Sequence, residues 1–255
     1  MAFSLFKKAV GGRSPPPAAP KGIRIYAIGD IHGRDDLLED ISAAIERDLE
    51  SAPATVITVL LGDYVDRGPH SSKVVGRLAE SRFPTPIRAL RGNHEQMLLR
   101  FLDRPSELDS WRRYGGLETL HSYGVDVTLP MRGEAYEETR DALLAALPEA
   151  HRQFLSGTET SASYGEYFFC HAGVRPGVPL ERQSAEDLMW SREAFLDFDR
   201  SFGKIVVHGH TPVESPDFRA NRINIDTGAF ATSVLTCLVL EGAERRLLTA
   251  DMRRR

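Results

Sequence analysis

Short runs of apolar residues alternate with polar loops along the chain, and several loops lead into segments whose apolar positions have helical spacing. Three of the apolar runs predict β-strands: IRIYAIGD (23–30), ATVITVLLGD (54–63) and PIRALRGNHE (86–95). The segments that follow predict helices, which lie within residues 31–50, 71–82 and 96–103. This βαβα order predicts an α/β domain in which helices pack against a sheet.

The pattern changes between Asp103 and Gly165, where the strand signals fade. DALLAALPEAHRQFL (141–155) has a helical pattern, so we expect a mostly helical insertion at about residues 104–160, on the rim of the domain. Strand-like runs then return at four places: 166–174, 203–213, 222–230 and 233–242. A chain of 255 residues fits one large domain with an insertion, which we place at residues 21–255.

Composition narrows the class of protein. Hydrophobic residues make up 42% of the chain and charged residues 27%, which is usual for a globular protein. The net charge of −4 gives no bulk attraction to nucleic acid or to anionic membranes, so neither is expected as a partner. The two cysteines, Cys170 and Cys237, argue against a disulfide framework or a thiolate zinc site and favour a reducing, cytoplasmic location.

The first twenty residues do not resemble a targeting segment. In MAFSLFKKAV (1–10) the apolar residues precede the lysines and form no signal-peptide core. GGRSPPPAAP (11–20) is rich in Pro, Gly and Ala, so residues 1–20 are expected to form a flexible leader. The sequence has no run of about 18 apolar residues, and we expect no membrane insertion.

Polar residues of a similar chemical kind recur where the predicted strands end. Five strand runs carry such a residue at the carboxyl end or one step beyond: Asp30, Asp63, Asn93, His171 and His210, with His32 beside the first. Because ligands bind at the carboxyl edge of an α/β sheet, these side chains are expected to meet. Their oxygen and nitrogen atoms suit Mn, Fe or Zn, and six ligands suffice for two ions if Asp63 is shared. Two such ions activate a water and clamp the oxygens of a displacement at phosphorus.

Each of these motifs also has an ordinary explanation. An isolated Asp-X-His or Gly-Asn-His is a common turn, and Cys170 is expected to be a small buried hydrophobe. His208 is left open as a ligand or as a support for one. Five strand ends with suitable residues are nevertheless hard to explain by turn chemistry. Arg67 and Arg192 add guanidinium groups, which bind two phosphate oxygens at once.

Five motifs, in this order and at this spacing, resemble those of the metal-dependent phosphoprotein phosphatase family: GDIHGR (29–34), GDYVDRG (62–68), RGNHE (91–95), HAGV (171–174) and HGHTP (208–212). The small bacterial and phage branch is the most similar, because of WSR (190–192) and IDTGA (225–229). The resemblance covers about residues 23–240. It implies a metallophosphatase-like β-sandwich flanked by helices, with a mostly helical insertion and two divalent metal ions. Manganese is favoured, and iron and zinc remain open.

The resemblance also implies a role for each matching position. The implied metal ligands are Asp30 and His32 on the first ion, Asp63 as the bridge, and Asn93, His171 and His210 on the second. Arg67 and Arg192 resemble the phosphate-binding arginines. His94 resembles the general acid that protonates the leaving alkoxide, and Asp66 the carboxylate that orients it.

The function that the resemblance implies is hydrolysis of phosphoserine or phosphothreonine in proteins, with phosphotyrosine also open, by direct attack of a metal-bridging hydroxide. A phosphorylated protein is then the expected partner. The alternative is a symmetrical dinucleoside tetraphosphatase, a sister group that often has Ala in place of Asp66 and Asp in place of Glu95. Pro212, where many related enzymes have a second His, disfavours a phosphodiesterase. A catalytically dead phosphopeptide-binding module is disfavoured, because every motif position is present.

Overall fold

Ten β-strands form two mixed sheets in the part of the chain that the computed structural model describes, residues 16–254. In chain order they are β1 (Ile23–Ile28), β2 (Thr55–Leu60), β3 (Ile87–Ala89), β4 (Ser161–Tyr164), β5 (Tyr167–Cys170), β6 (Ile205–His208), β7 (Asp217–Phe218), β8 (Arg222–Asn224), β9 (Val234–Glu241) and β10 (Glu244–Asp251). The first sheet has the order β10-β9-β1-β2-β3 and the second the order β4-β5-β6-β8-β7. In the first sheet the parallel strands β1, β2 and β3 follow the predicted βαβ order, and the antiparallel strands β9 and β10 are added beside β1. In the second sheet β5, β6 and β8 are parallel, and the antiparallel strands β4 and β7 lie at the edges.

The alternation of side chains along each strand explains how the two sheets pack. In β1, Ile25 contributes to the apolar core between the sheets, whereas Tyr26 contributes to the core beneath the outer helices. In β5, Phe169 faces the inner core and Phe168 the outer face of the second sheet. Successive strand residues point to opposite faces, so strands that are apolar on both faces are buried in a layered sandwich.

Eleven α-helices are found among the described residues: α1 (Asp35–Asp48), α2 (Ser71–Ala79), α3 (Asn93–Asp103), α4 (Leu108–Trp111), α5 (Gly116–Ser122), α6 (Thr128–Arg132), α7 (Tyr136–Ala146), α8 (Glu149–Ser156), α9 (Ala185–Trp190), α10 (Glu193–Leu196) and α11 (Ala229–Thr232). Helices α1, α2 and α3 bury their apolar faces against the first sheet, and α9 and α10 cover the second. The predicted class, an α/β sandwich of two sheets flanked by helices, is confirmed.

The predicted insertion contains α4 to α8 and is mostly helical. It is not confined to the rim, as we had expected, because Leu108, Trp111 and Leu120 are fully buried in the core beneath the first sheet. The helical pattern of residues 141–155 is divided into α7 and α8 at Pro148, which has no N–H with which to continue the first helix.

Residues 16–20, which we predicted as part of a flexible leader, are held against the body of the protein. The N–H of Ala18 donates to the Glu166 carboxylate at 2.9 Å, and the N–H of Ala19 donates to the Gly242 carbonyl at 2.7 Å. These backbone groups have partners in the turns that join β4 to β5 and β9 to β10, so residues 16–20 pack on the domain instead of extending from it. Residues 1–15 of that prediction lie outside the described residues. No helix within the described range is long and apolar enough to cross a membrane.

Candidate active site

The loops that follow β1, β2, β3, β5 and β6 meet at one end of the two sheets. They carry five of the predicted ligands, which hydrogen bonds and close polar contacts join into one cluster: Asp30, Asp63, Asn93, His171 and His210. The cluster lies where both sheets present the carboxyl ends of parallel strands, which is the position expected of a ligand site.

The Asp63 carboxylate lies at the centre of this cluster. Its Oδ2 is 3.5 Å from His32 Nε2, 3.4 Å from His171 Nε2 and 3.8 Å from His94 Nε2. Burial favours the neutral acid, but the neighbouring imidazoles, above all His171, hold the pKa of Asp63 well below its usual range. An ionised carboxylate surrounded by imidazole nitrogens has the geometry of a ligand that two cations share.

A second group of ligand atoms lies on the other side of Asp63. His171 Nε2 is 2.9 Å from Asn93 Oδ1 and 3.1 Å from His210 Nδ1, and the last two atoms are 2.9 Å apart. The other ring nitrogen of His210 is buried and has no hydrogen-bond partner among the described residues. His208 does not join this group, because its ring packs at 4.9 Å on Phe195, at the outer face of β6.

Two histidine rings are oriented by backbone carbonyls. The Nδ1 of His32 lies 2.8 Å from the Val65 carbonyl, and the Nδ1 of His171 lies 3.0 Å from the Leu61 carbonyl. Both contacts leave Nε2 directed at Asp63. Burial lowers the pKa of His32 to about 3, so its ring is neutral and able to bind a metal.

Asp30 has a different position from the other predicted ligands. Its carboxylate accepts the backbone N–H of His210 at 3.1 Å, and within the described range it belongs to neither group of clustered ligand atoms. These groups are His32, Asp63 and His94, and Asp63, His171 and His210. Burial, followed by the charge of Asp226, raises the pKa of Asp30 well above its usual range. Two buried carboxylates that repel each other in this way are a place where a cation is favoured.

The backbone of the site is strained. Of the eight non-glycine residues with positive φ between residues 16 and 254, five belong to the predicted site: His32, Asp63, Asp66, Arg67 and His210. Side chains make this region of φ unfavourable, and it persists where the surrounding structure enforces it, often at functional sites. The loops therefore hold these side chains in directions that a relaxed loop would not give.

Glu95 holds two of these loops together. Its Oε2 accepts the N–H groups of Asp63 at 2.8 Å and Gly92 at 2.9 Å, and its Oε1 accepts those of Tyr64 at 2.8 Å and Val65 at 3.3 Å. The side chain is fully buried. It therefore connects the loop that carries Asp63 to the start of α3, which carries Asn93.

His94 and Asp66 form a buried pair beside Asp63. The Nδ1–H of His94 donates to Asp66 Oδ2 at 2.7 Å, and His94 Nε2 lies 3.2 Å from the guanidinium of Arg67. Burial disfavours the imidazolium, but the charge of Asp63 and the bond to Asp66 outweigh it and raise the pKa of His94. The pair has the geometry of a proton donor with its orienting carboxylate.

The two predicted arginines are related to the site in different ways. The guanidinium of Arg67 lies 4.8 Å from the ring centroid of Phe230, an exposed aromatic residue whose ring also contacts His32. Arg192 is exposed, and its charge is close enough to contribute to the lowered pKa of His210, which burial chiefly causes. Arg67 therefore places positive charge beside His32 and His94, and Arg192 acts on His210 through its charge.

The structure also shows residues whose part in the site the sequence did not reveal. Trp111 and Thr119, in the insertion, donate hydrogen bonds to the Asp66 carboxylate at 2.7 and 2.6 Å. The ring of Trp111 is fully buried. No signal in one sequence connects Thr119 or Trp111 to Asp66, because these contacts depend on how the insertion folds back.

The residues present fit divalent metal ions. Buried carboxylate, amide and imidazole ligand atoms lie 2.9 to 3.5 Å from one another. Two buried imidazole nitrogens, the Nε2 atoms of His210 and His208, have no hydrogen-bond partner in the described part of the chain, and only the first belongs to a residue of this cluster. Oxygen and imidazole ligands without thiolates suit ions such as Mn²⁺, Fe²⁺ or Zn²⁺.

Comparison with known proteins places this site in a family. The model of the calcineurin-like phosphoesterase family matches residues 23–227. The asymmetrical bis(5′-nucleosyl)-tetraphosphatase PrpE of Bacillus subtilis (strain 168) is 27% identical over 232 residues, or 82% of this chain and 87% of that enzyme. The symmetrical bis(5′-nucleosyl)-tetraphosphatase of Acidovorax ebreus (strain TPSY) is 33% identical over 178 residues, or 66% of this chain and 52% of that enzyme.

A solved structure shows the same fold. The protein serine/threonine phosphatase from Saccharomyces cerevisiae matches with a TM-score of 0.54 at 13% identity, over 92% of this chain and 84% of that one. At this identity the likeness concerns the fold alone. The family match covers both sheets up to the loop after β8 and all the clustered ligands, so the chain belongs to the calcineurin-like phosphoesterase family.

Proposed function

We propose that the protein is a metal-dependent phosphohydrolase that cleaves dinucleoside tetraphosphates. The observation that carries the proposal is the extent of the match to a tetraphosphatase, which covers 82% of this chain and 87% of that enzyme. The motifs that favoured a protein phosphatase, GDYVDRG and GNHE, are short by comparison. The dinucleoside tetraphosphate is therefore the favoured substrate.

In this proposal the six predicted ligands would hold two divalent ions, with Mn²⁺ expected: Asp30, His32, Asp63, Asn93, His171 and His210. When bound, the ions would supply Lewis-acid activation of water and neutralise charge at the phosphoryl group. Asp63 would be the ligand common to both ions, which agrees with its central position and with its low pKa. Glu95 keeps Asp63 in place through the backbone.

The other residues of the chain act on the substrate itself. Arg67 and Arg192 bind phosphoryl oxygens of the tetraphosphate, and a guanidinium does so through two parallel N–H groups. With Asp66 fixing the ring through Nδ1, His94 would deliver a proton from Nε2 to the oxygen that leaves phosphorus once Arg67, which faces Nε2 at 3.2 Å, binds the phosphoryl group instead.

A second candidate function is hydrolysis of phosphomonoesters in proteins, and one observation favours it. His94 and Asp66 form a buried pair suited to protonating a leaving oxygen. An alkoxide from phosphoserine needs that proton, whereas a nucleotide leaving group is already a stable anion and needs it less. The pair therefore favours a substrate with a basic leaving group.

The experiment that separates the two functions is a Mn²⁺ titration of chelator-stripped protein with diadenosine tetraphosphate and a phosphoserine peptide in parallel. We expect turnover of the dinucleotide. ADP alone would indicate symmetrical cleavage, and AMP with ATP asymmetrical cleavage. Phosphate from the peptide with the dinucleotide intact would overturn the proposal in favour of the second candidate. Binding of the peptide without turnover of either substrate would indicate a phosphopeptide-binding module. Asp63→Asn is the matched inactive control.

A further inference from the structure

We propose that the helical insertion positions the proton donor of this site, and that Trp111 and Thr119 are the positioning residues. Neither touches a metal ligand's side chain among the contacts that the structure describes. Both act on Asp66, which in turn holds His94. The inference rests on the proposed role of His94 and holds whichever of the two substrates is cleaved.

The Asp66 carboxylate is completely enclosed by donors. Its Oδ2 accepts the indole N–H of Trp111 at 2.7 Å as well as the Nδ1–H of His94 at 2.7 Å. Its Oδ1 accepts the hydroxyl of Thr119 at 2.6 Å, and the same hydroxyl oxygen accepts the backbone N–H of Asp66 at 2.8 Å. Asp66 is fully buried, so water does not replace these partners. A carboxylate that is hydrogen-bonded on both oxygens is fixed in one orientation, and its bond to Nδ1 then fixes the orientation of the His94 ring.

The backbone around Trp111 comes close to Asp66 and Arg67. Trp111 packs on Phe101 with ring centroids 5.1 Å apart, and a Cβ at Gly116 would lie 2.5 Å from the indole ring. Gly115 has φ +99°, and its carbonyl accepts the N–H of Arg67 at 3.1 Å. The two glycines therefore let the insertion approach both Arg67 and the indole at distances that a side chain would prevent.

The same contacts would also exist if Trp111 and Thr119 only packed the insertion onto the core. The two roles differ in what they do to the reaction. A packing role lowers stability and affects all substrates alike. A positioning role affects the proton transfer, so its loss depends on how basic the leaving group is.

The test uses the full chain loaded with Mn²⁺ and two aryl esters, p-nitrophenyl phosphate and the more basic phenyl phosphate. We expect Trp111→Phe and Thr119→Val to lower kcat about tenfold more for phenyl phosphate than for p-nitrophenyl phosphate, with KM unchanged. Thr119→Ser keeps the hydroxyl and is expected to restore kcat. Ser122→Ala is the matched control, since this hydroxyl, also on α5, bonds to Ser72 and the Thr119 carbonyl but not to Asp66.

A double-mutant cycle decides whether the effect passes through His94. In a His94→Asn background, Trp111→Phe is expected to cause no further loss, because the group it positions is gone. Independent losses in the double variant, or equal losses for the two esters, would overturn the inference. If His94→Asn itself lowers kcat equally for the two esters, the proposed role of His94 as proton donor is wrong. This outcome is distinguishable from a failure of the positioning role of Trp111 and Thr119.

A readout without turnover uses the metal-free protein. The chain has two tryptophans, so its indole N–H signals in an NMR spectrum are assigned with a single variant, Trp190→Phe. Asp66→Ala is expected to shift the Trp111 indole signal and to leave that of Trp190 in place, since Trp190 donates to Gln96. A Trp111 signal that does not respond would contradict the contact on which the inference depends.

Discussion

Glu95 gives the sharpest prediction about how the site is held together. Its two carboxylate oxygens accept four backbone N–H groups, two on each oxygen, in a place that the structure buries completely. Burial and the charge of Asp63 raise its pKa to about 7, and the N–H groups of Gly92 and Asp63 act in the opposite direction. The substitution Glu95→Gln keeps the size of the side chain and replaces one oxygen by an NH2 group.

The loss of stability in Glu95→Gln follows from the number of backbone N–H groups that lose their acceptor. Whichever way the amide is turned, two backbone N–H groups lose their acceptor and face another donor. Each unsatisfied buried donor costs about 1–3 kcal/mol, so two cost about 2–6 kcal/mol. The substitution also removes a negative charge that repels Asp63, which offsets part of this loss. We therefore expect the free energy of unfolding to fall by about 2–3 kcal/mol. This is a large share of the stability of a domain, which is about 5–15 kcal/mol.

The assay is urea unfolding of metal-free protein, so that metal affinity does not enter the free energy of unfolding. Glu118→Gln on α5 is the matched control, since this glutamate is exposed and is expected to change stability by less than about 0.5 kcal/mol. A Glu95→Gln variant as stable as the control would falsify the claim that this carboxylate braces the two loops.

Four further predictions concern single groups. His94→Asn is expected to lower kcat by about 10²–10⁴-fold for a basic leaving group and far less for p-nitrophenyl phosphate, and equal losses would exclude the proton-donor role. Asp63→Asn is expected to abolish activity and to lower the bound metal in elemental analysis, so full metal content with retained turnover would contradict the shared-ligand role. Arg192→Ala is expected mainly to raise KM, and unchanged kinetics would remove Arg192 from the substrate site. Burial opposes ionisation of Asp48, but its bond to Arg246 and its other partners hold its pKa below the usual 3.8. The free energy of unfolding should therefore fall as the pH falls below about 4, and Asp48→Asn should flatten that dependence in acid unfolding curves.

The sequence predicted the central layers of the fold because burial leaves a simple pattern there. The strands at residues 23–30 and 54–63 are found as β1 and β2, and their apolar runs are continuous because both faces are covered. Strand β10 was not predicted. Its residues are mostly half-buried or exposed and include several charged ones, so the strand is specified by pairing with β9 and not by its own hydrophobicity.

The site likewise contains residues that the sequence predicts and residues that it does not. The residues at the strand ends could be predicted, because strand direction and a few short motifs fix where they fall. The supports could not, because Trp111 and Thr119 are 45 and 53 residues from Asp66 and reach it only through the fold of the insertion. Metal binding by the six ligands stays a prediction, and Asp30 differs from the others because its carboxylate bonds to the backbone N–H of His210 and belongs to neither group of metal-spaced ligand atoms among the described residues.

The two candidate functions make different demands on the same residues, and that difference is measurable. Cleaving a tetraphosphate releases a nucleotide anion, so a chain that evolved for that substrate alone gains little from a buried proton donor with three supporting side chains. Yet Asp66, Trp111 and Thr119 are all fully or almost fully buried around His94, and burying polar groups is costly unless every one is bonded. If His94→Asn barely affects turnover of diadenosine tetraphosphate but severely affects a phosphomonoester, then the site is built for the monoester and the dinucleotide is a secondary substrate. If both reactions suffer equally, the value of His94 lies in binding the phosphoryl group and not in proton transfer.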